Sequence, residues 1–158
     1  VDRLELLNHV ANQPEVLHAC APGLDELRLD AFFDEPKNIM LGNELGLILF
    51  MYIADFGHGG VYEFHYLLTK ALRGRKALLA ARMALSAVFR ERGAAAVYGS
   101  TPAQNLGARA MNRALGAVPA STTEDNFARP CIRYVLTREA WEKWQSAQRL
   151  AKVAEGVS

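Results

Sequence analysis

Residues 61–91 read VYEFHYLLTKALRGRKALLAARMALSAVFRE, and two periods meet in them. Val61, Tyr62, Phe64, Tyr66, Leu67 and Leu68 are β-branched, aromatic or apolar, with Glu63 and His65 interleaved, which is the pattern of a strand. After Thr69 to Leu72 comes Arg73-Gly74-Arg75-Lys76, and the period changes. Leu78, Ala81, Leu85, Val88 and Phe89 recur at helical spacing, with Arg82, Arg90 and Glu91 turned away. Gly93 ends the helix, since glycine takes positive φ without strain. Strand, basic glycine turn and long helix bring free backbone N–H groups and the positive end of a helix dipole to one point. Such a point binds anions, phosphate most often. A merely solvated basic turn is the competing reading.

Neither common nucleotide loop is present: G-x-x-x-x-G-K-[ST] and G-x-G-x-x-G are both missing. Instead, Arg73-Gly74-Arg75-Lys76-Ala77-Leu78, after a strand and opening a helix, resembles the acetyl-CoA loop of the GNAT N-acetyltransferases, Gln/Arg-x-x-Gly-x-Gly/Ala. Arg73 matches its first position, while Lys76 stands at the central glycine and Leu78 at the small residue. Downstream, Asn105, Ala108, Met111 and Leu115-Gly116 resemble the Asn-x-x-Ala/Ser…Leu-Gly-Phe helix of the same family. The likeness covers about residues 46–134. The spacing from His65 to Arg73-Gly74 also looks like divergent members found in bacteriophage genomes. The resemblance implies a mixed, mainly antiparallel α/β sheet of the α+β type with helices on both faces. It implies acetyl-CoA as cosubstrate, with pyrophosphate at Arg73, Gly74, Arg75, Lys76 and Ala77. The pantetheine arm would run along the strand end at Leu67 and Leu68, and Asn105 would reach toward its amide.

Taken in order, residues 2–11 read as a short amphipathic helix with Leu4, Leu7 and Val10 on one face, and Pro14 opens a second helix through Ala19. In the family this region walls the acceptor. No family-type first strand stands before Asp2, and the segment from Leu27 to Phe33 is the candidate to serve as one. Ile39 to Leu41 is a strand and Gly42-Asn43 a turn; Leu45 to Ile53, almost continuously apolar, is a central strand covered on both faces. Ala95 to Tyr98 lies parallel to the strand at Val61 if the crossover is right-handed. Ser100-Thr101-Pro102 caps a helix from Ala103 to Leu115, residues 119–130 form a polar loop, and Ile132 to Leu136 is the last strand. A helix follows from Thr137, anchored by Trp141 and Trp144.

The 158 residues suffice for one domain spanning the chain, and 51% hydrophobic with 22% charged residues is ordinary for a globular protein. A net charge of +1 argues for neither nucleic acid nor anionic lipid as partner, and the apolar run at 45–54 is too short to span a membrane. Cys20 and Cys131 fit no metal spacing and read as buried thiols in a reducing, cytoplasmic setting; no signal peptide is visible. A homodimer is left open.

Acetyl transfer to an amine needs a base, a polarised carbonyl and a proton for the leaving thiolate. Glu63 and His65 share the strand that the resemblance sets beside the pantetheine arm, and are the candidate catalytic residues; a solvent-facing or paired role is the alternative. Family members often carry a tyrosine seven residues after the helix asparagine, where this chain has Asn112; Tyr98 or Tyr66 would have to substitute. His9 and His18 lack partners at ligand spacing, and Ser100 has no evident base, so metal chemistry and a hydrolase are set aside. Two functions remain: an acetyl-CoA-dependent N-acetyltransferase for a primary amine of a small molecule or protein, or a catalytically inactive GNAT-like module that binds CoA or a protein.

Overall fold

The alternation at 61–68 builds a strand because its two sets of side chains meet different helices. In the computed structural model, which describes residues 2–156, six strands form one sheet in the order β1-β2-β3-β4-β6-β5. They are β1 (Ile39–Asn43), β2 (Gly46–Asp55), β3 (Gly60–Leu68), β4 (Ala96–Pro102), β5 (Val118–Glu124) and β6 (Pro130–Thr137). Every pairing is antiparallel except β3 with β4. The helices are α1 (Arg3–Ala11), α2 (Pro14–Cys20), α3 (Arg75–Ser86), α4 (Leu106–Ala114) and α5 (Arg138–Ala154). The mixed sheet flanked by helices is the architecture expected from the sequence.

Each face has its own core. On one, Leu7, Val10, Ala11 and Val16 of α1 and α2 bury Met40, Leu47, Leu49 and Leu67. On the other, Ala81, Ala84, Leu85, Val88 and Phe89 of α3 and its extension, with Trp141 of α5, cover Ile48, Phe50, Tyr62, Phe64, Val97, Tyr134 and Leu136. Phe89 and Trp141 stack with centroids 5.2 Å apart. The Trp144 ring lies against Gly116, where a Cβ would meet its Cγ at 3.0 Å, so the chain after α4 turns tightly under α5. The α3 helix widens into a π turn over Ala87–Glu91 before Gly93.

Several expectations are corrected. Leu27 to Phe33 forms no strand; Asn12 holds its start through both backbone groups of Leu27, and a 3₁₀ turn over Asp30–Asp34 buries Phe32, whose carbonyl accepts from Asn38. Gly42 and Asn43 belong to β1, the turn falling at Glu44-Leu45. β2 is buried on both faces only from Gly46 to Phe50; Met51 and Ile53 are exposed. Ser100, Thr101 and Pro102 extend β4 instead of capping a helix: Thr101 faces the core, and Pro102 sits at the ladder's end, where its missing N–H does least harm. Helix α4 accordingly starts at Leu106 and not at Ala103. The expected loop at 119–130 is mostly β5 and its hairpin turn. β5 reads as polar because it is an edge strand exposed almost throughout, with Pro119 beside a register shift.

Candidate active site at the parting of two parallel strands

β3 and β4 stay paired for only three residues, Val61↔Ala96, Tyr62↔Val97 and Glu63↔Tyr98. Both strands then continue unpaired to each other, β3 to Leu68 and β4 to Pro102, so a wedge opens between their C-terminal halves. Gly99 stands at the throat, where its missing side chain leaves room for the Phe64 ring. The helices that follow the two strands, α3 and α4, begin beyond the wide end. Ligands of open α/β sheets gather at such carboxyl ends, where neighbouring connections diverge.

The turn before α3 has the expected character. Gly74 caps the helix with φ 60° and ψ −130°, a conformation side chains resist, and no atom lies within 4 Å of where its Cβ would be. Arg75, Lys76 and Ala77 begin the helix and leave first-turn N–H groups free, while Leu78 N–H already bonds Gly74. Arg75 and Lys76 are exposed and make no ion pair among the described residues. Arg73 does something else: its guanidinium donates to the carbonyls of Leu68 (2.9 Å) and Thr69 (3.1 Å), fastening the turn to the end of β3. Glu15 of α2 fastens the other side by accepting from Lys70 N–H at 2.9 Å, and that bond holds its carboxyl below the usual range. Leu67 is a core residue, and Leu68 has its carbonyl engaged by Arg73.

Asn105 is the N-cap of α4, its side-chain oxygen accepting from Ala108 N–H at 3.1 Å, with the residue itself exposed. Its amide nitrogen makes no hydrogen bond among the described residues. Asn112, at the position where a tyrosine would supply a proton, is buried and donates to Thr101 Oγ1 at 2.9 Å, pinning α4 to β4. Among the described residues its Oδ1 has no partner, and neither has the buried hydroxyl of Tyr66 on β3, whose proton burial holds far more tightly than usual. Both strands bordering the wedge thus carry or hold a buried polar atom that is unsatisfied. Free N–H groups, unpaired cations and these orphaned atoms together suit a long, polar, phosphate-bearing ligand such as acetyl-CoA.

Glu63 and His65 lie on the opposite sheet face, the one α1 and α2 cover at Leu47, Leu49 and Leu67 but leave open beside Met51. His65 Nε2 sits 3.4 Å from Glu63 Oε1 without forming a hydrogen bond, and is otherwise unpartnered. The His65 contact holds the Glu63 carboxyl below its ordinary range against the opposing effect of burial, with smaller help from Arg133 and the Tyr98 hydroxyl. Burial, then the Glu63 charge, pushes the Tyr98 hydroxyl up. The structure therefore brings the two predicted residues together and adds Tyr98 and Arg133, whose guanidinium lies 5.0 Å from the Tyr98 ring centre. Arg133 was not foreseen; only the pairing of β4 with β6, remote in sequence, puts it there. Cys131 is buried and Cys20 half-buried, both as free thiols.

Neither a protein-family model nor a curated protein sequence matches the chain. Solved structures do match. A protein of T. thermophilus classed as an acetyltransferase superposes with a TM-score of 0.66 at 19% identity, over 96% of this chain and 90% of that one. The ribosomal-protein-S5-alanine acetyltransferase of Vibrio fischeri gives 0.57 at 13% identity, over 66% of this chain and 62% of its own. A mutant spermidine N-acetyltransferase of Vibrio cholerae gives 0.56 at 15%, over 66% of each chain. This chain thus spans somewhat less than two thirds of either Vibrio enzyme. At such identities the likeness shows the fold, which is that of the GNAT acetyltransferases. It gives the bacteriophage likeness no support.

Proposed function

We propose that this chain is an acetyl-CoA-dependent N-acetyltransferase for a primary amine, with the acetyl donor seated in the β3–β4 wedge. The observation that carries the reading is the three-rung parallel pair, which parts just where Glu63 and His65 emerge and opens toward the start of α3. The N–H groups of Arg75, Lys76 and Ala77, with the first two side chains, hold the pyrophosphate. Arg73 shapes the turn. Asn105, Tyr66 and the free oxygen of Asn112 offer hydrogen bonds along the wedge. The donor supplies a thioester-activated acetyl group.

At neutral pH a primary amine arrives as an ammonium. Glu63, held ionised by its surroundings, is better suited to gripping that ammonium than to removing its proton. His65, whose Nε2 lies 3.4 Å from Glu63 Oε1, takes the proton. Tyr66 keeps its own proton and offers a hydrogen bond toward the leaving sulfur, which takes the second proton of the attacking nitrogen as the C–S bond breaks and departs as the CoA thiol.

One observation favours the alternative of a CoA-binding module without turnover: the Asn112 side-chain NH₂ is spent on Thr101, where a proton donor would be wanted. Thermal shift with acetyl-CoA against CoA, then mass spectrometry of a primary-amine panel, separates the two. Stabilisation by acetyl-CoA with a 42 Da gain on an amine, about the mass an acetyl adds, supports the enzyme. Equal stabilisation by both with no acetylated product supports the module, and no stabilisation by either overturns both.

A further inference from the structure

The open part of the α1/α2 sheet face carries a second group of polar residues next to Glu63 and His65. Cross-strand registers arrange them in two rows. The first row runs Glu63 (β3), Tyr98 (β4), Val135 (β6) and Val118 (β5). The second row, two residues further toward the wedge, runs Ser100 (β4), Arg133 (β6) and Ser121 (β5). Directly opposed residues on neighbouring strands hold their Cβ atoms about 5 Å apart, so both serine hydroxyls flank the Arg133 stem.

Arg133 is exposed, and among the described residues it makes no ion pair and no hydrogen bond, its guanidinium resting over the Tyr98 ring. The nearby arginine of the hairpin turn behaves differently. Arg129 is spent on Asp125 (2.7 Å) and on the Ala19 carbonyl of α2 (2.9 Å), which fixes the hairpin turn against α2. A guanidinium with its five donors free, between two hydroxyls on a rigid sheet, is built for a carboxylate or phosphate. Glu63 lies across one intervening strand and two residues back along it, so the two backbones are about 12 Å apart at the usual strand spacing and rise. Their side chains reduce that gap to the length of a compact molecule.

We infer that the acceptor is a small amine carrying an anionic group, with its ammonium at Glu63 and His65 and its carboxylate or phosphate at Arg133, Ser100 and Ser121. This rests on the amine-acetylation reading above. The adjacent opposite charges would then select for zwitterionic acceptors and against polyamines, whose second cation would face Arg133.

The test uses matched acceptors: β-alanine against its amide, and phosphoethanolamine against ethanolamine, each with acetyl-CoA. Wild type should favour the anionic member by about tenfold or more in kcat/KM, the usual worth of a charge-assisted contact. The two pairs separate carboxylate from phosphate recognition. Arg133→Gln should erase the preference by raising KM for anionic acceptors well beyond any change for their neutral partners, and Arg133→Lys should restore part of it. Equal rates for matched members, or equal losses for both in Arg133→Gln, overturn the inference while leaving acetyl transfer intact. Binding of β-alanine or phosphoethanolamine to the CoA-saturated protein, measured by NMR, supplies the remaining arm. Binding that needs Arg133 but leads to no product supports the anion subsite and sinks the transfer reading. Neither binding nor product overturns both.

Discussion

Asn105 has a structural task and a proposed ligand task, and substitution can separate them. Its Oδ1 accepts from Ala108 N–H at an exposed helix start, and Asn105→Ala removes that cap. Loss of such a cap costs about 1 kcal/mol. For a chain of this size that is a fall of roughly 2–4 °C in Tm. Asn105→Asp keeps the acceptor and adds a charge that suits the helix dipole, so the free protein should melt like wild type. It lacks the amide donor, however, and should bind acetyl-CoA several-fold more weakly. At ligand one hundred times the wild-type Kd, binding adds about 2.7 kcal/mol of stability, and a fivefold weaker Kd removes about 1 kcal/mol of it. The aspartate variant should thus match wild type without ligand and trail it by about 2–4 °C with ligand. Calorimetry and ligand-dependent melting give both quantities. An alanine variant that melts with wild type refutes the cap argument, and an aspartate variant with undiminished ligand stabilisation refutes the ligand role.

Lys76→Glu places a carboxylate in the first turn of α3, where the helix tolerates it but a pyrophosphate would not; acetyl-CoA affinity should fall by about tenfold or more with Tm nearly unchanged. Equal affinities by calorimetry would move the phosphate site elsewhere. His65→Gln should lower the acetylation rate constant by about a hundredfold or more, as loss of a general base does, while Glu63→Gln should chiefly raise the acceptor KM; steady-state kinetics showing the reverse pattern would exchange the two roles. Because the folded-state pKa of Glu63 is depressed, its contribution to stability is present above the unfolded carboxylate pKa of about 4.3 and is lost as pH falls through the folded value. Acid unfolding of Glu63→Gln should therefore show a shallower loss over that range, and superimposable acid limbs would count against the Glu63–His65 contact.

The stretch around β3 and α3 was legible because the hydrophobic period changes within it and a glycine marks the change. The two helix-cap questions show where local pattern misleads. Ser100-Thr101-Pro102 has the chemistry of a helix start, yet Thr101 is buried and bound by Asn112, and the pairing with β6 keeps all three residues in the strand. Asn105, read as a ligand residue, is the actual cap. β5 was invisible because an edge strand exposed on both faces need not alternate. Glu63 and His65 were readable as neighbours on one strand face. Arg133, Ser100 and Ser121 were not, because they become a group only through registers between strands up to 33 residues apart.

The three-rung joint between β3 and β4 also divides the sheet mechanically. On one side lie β1, β2 and β3, contiguous from residue 39 to 68; on the other, β4, β6 and β5 come from residues 96–137. The first side is an antiparallel meander of chain neighbours, whereas on the second β6 inserts between β4 and β5, so only the first side is built wholly from adjacent segments. The α3/α5 core spans the joint, whereas the α1/α2 core belongs wholly to the first side. Across the α1/α2 face the Arg129 bond to the Ala19 carbonyl of α2 ties the two sides together. Glu63 stands on one side of the joint and Arg133 on the other, so the geometry of the joint sets the span between them. The ligand proposed for the wedge would bridge the two sides where the rungs end, and so would hold that span.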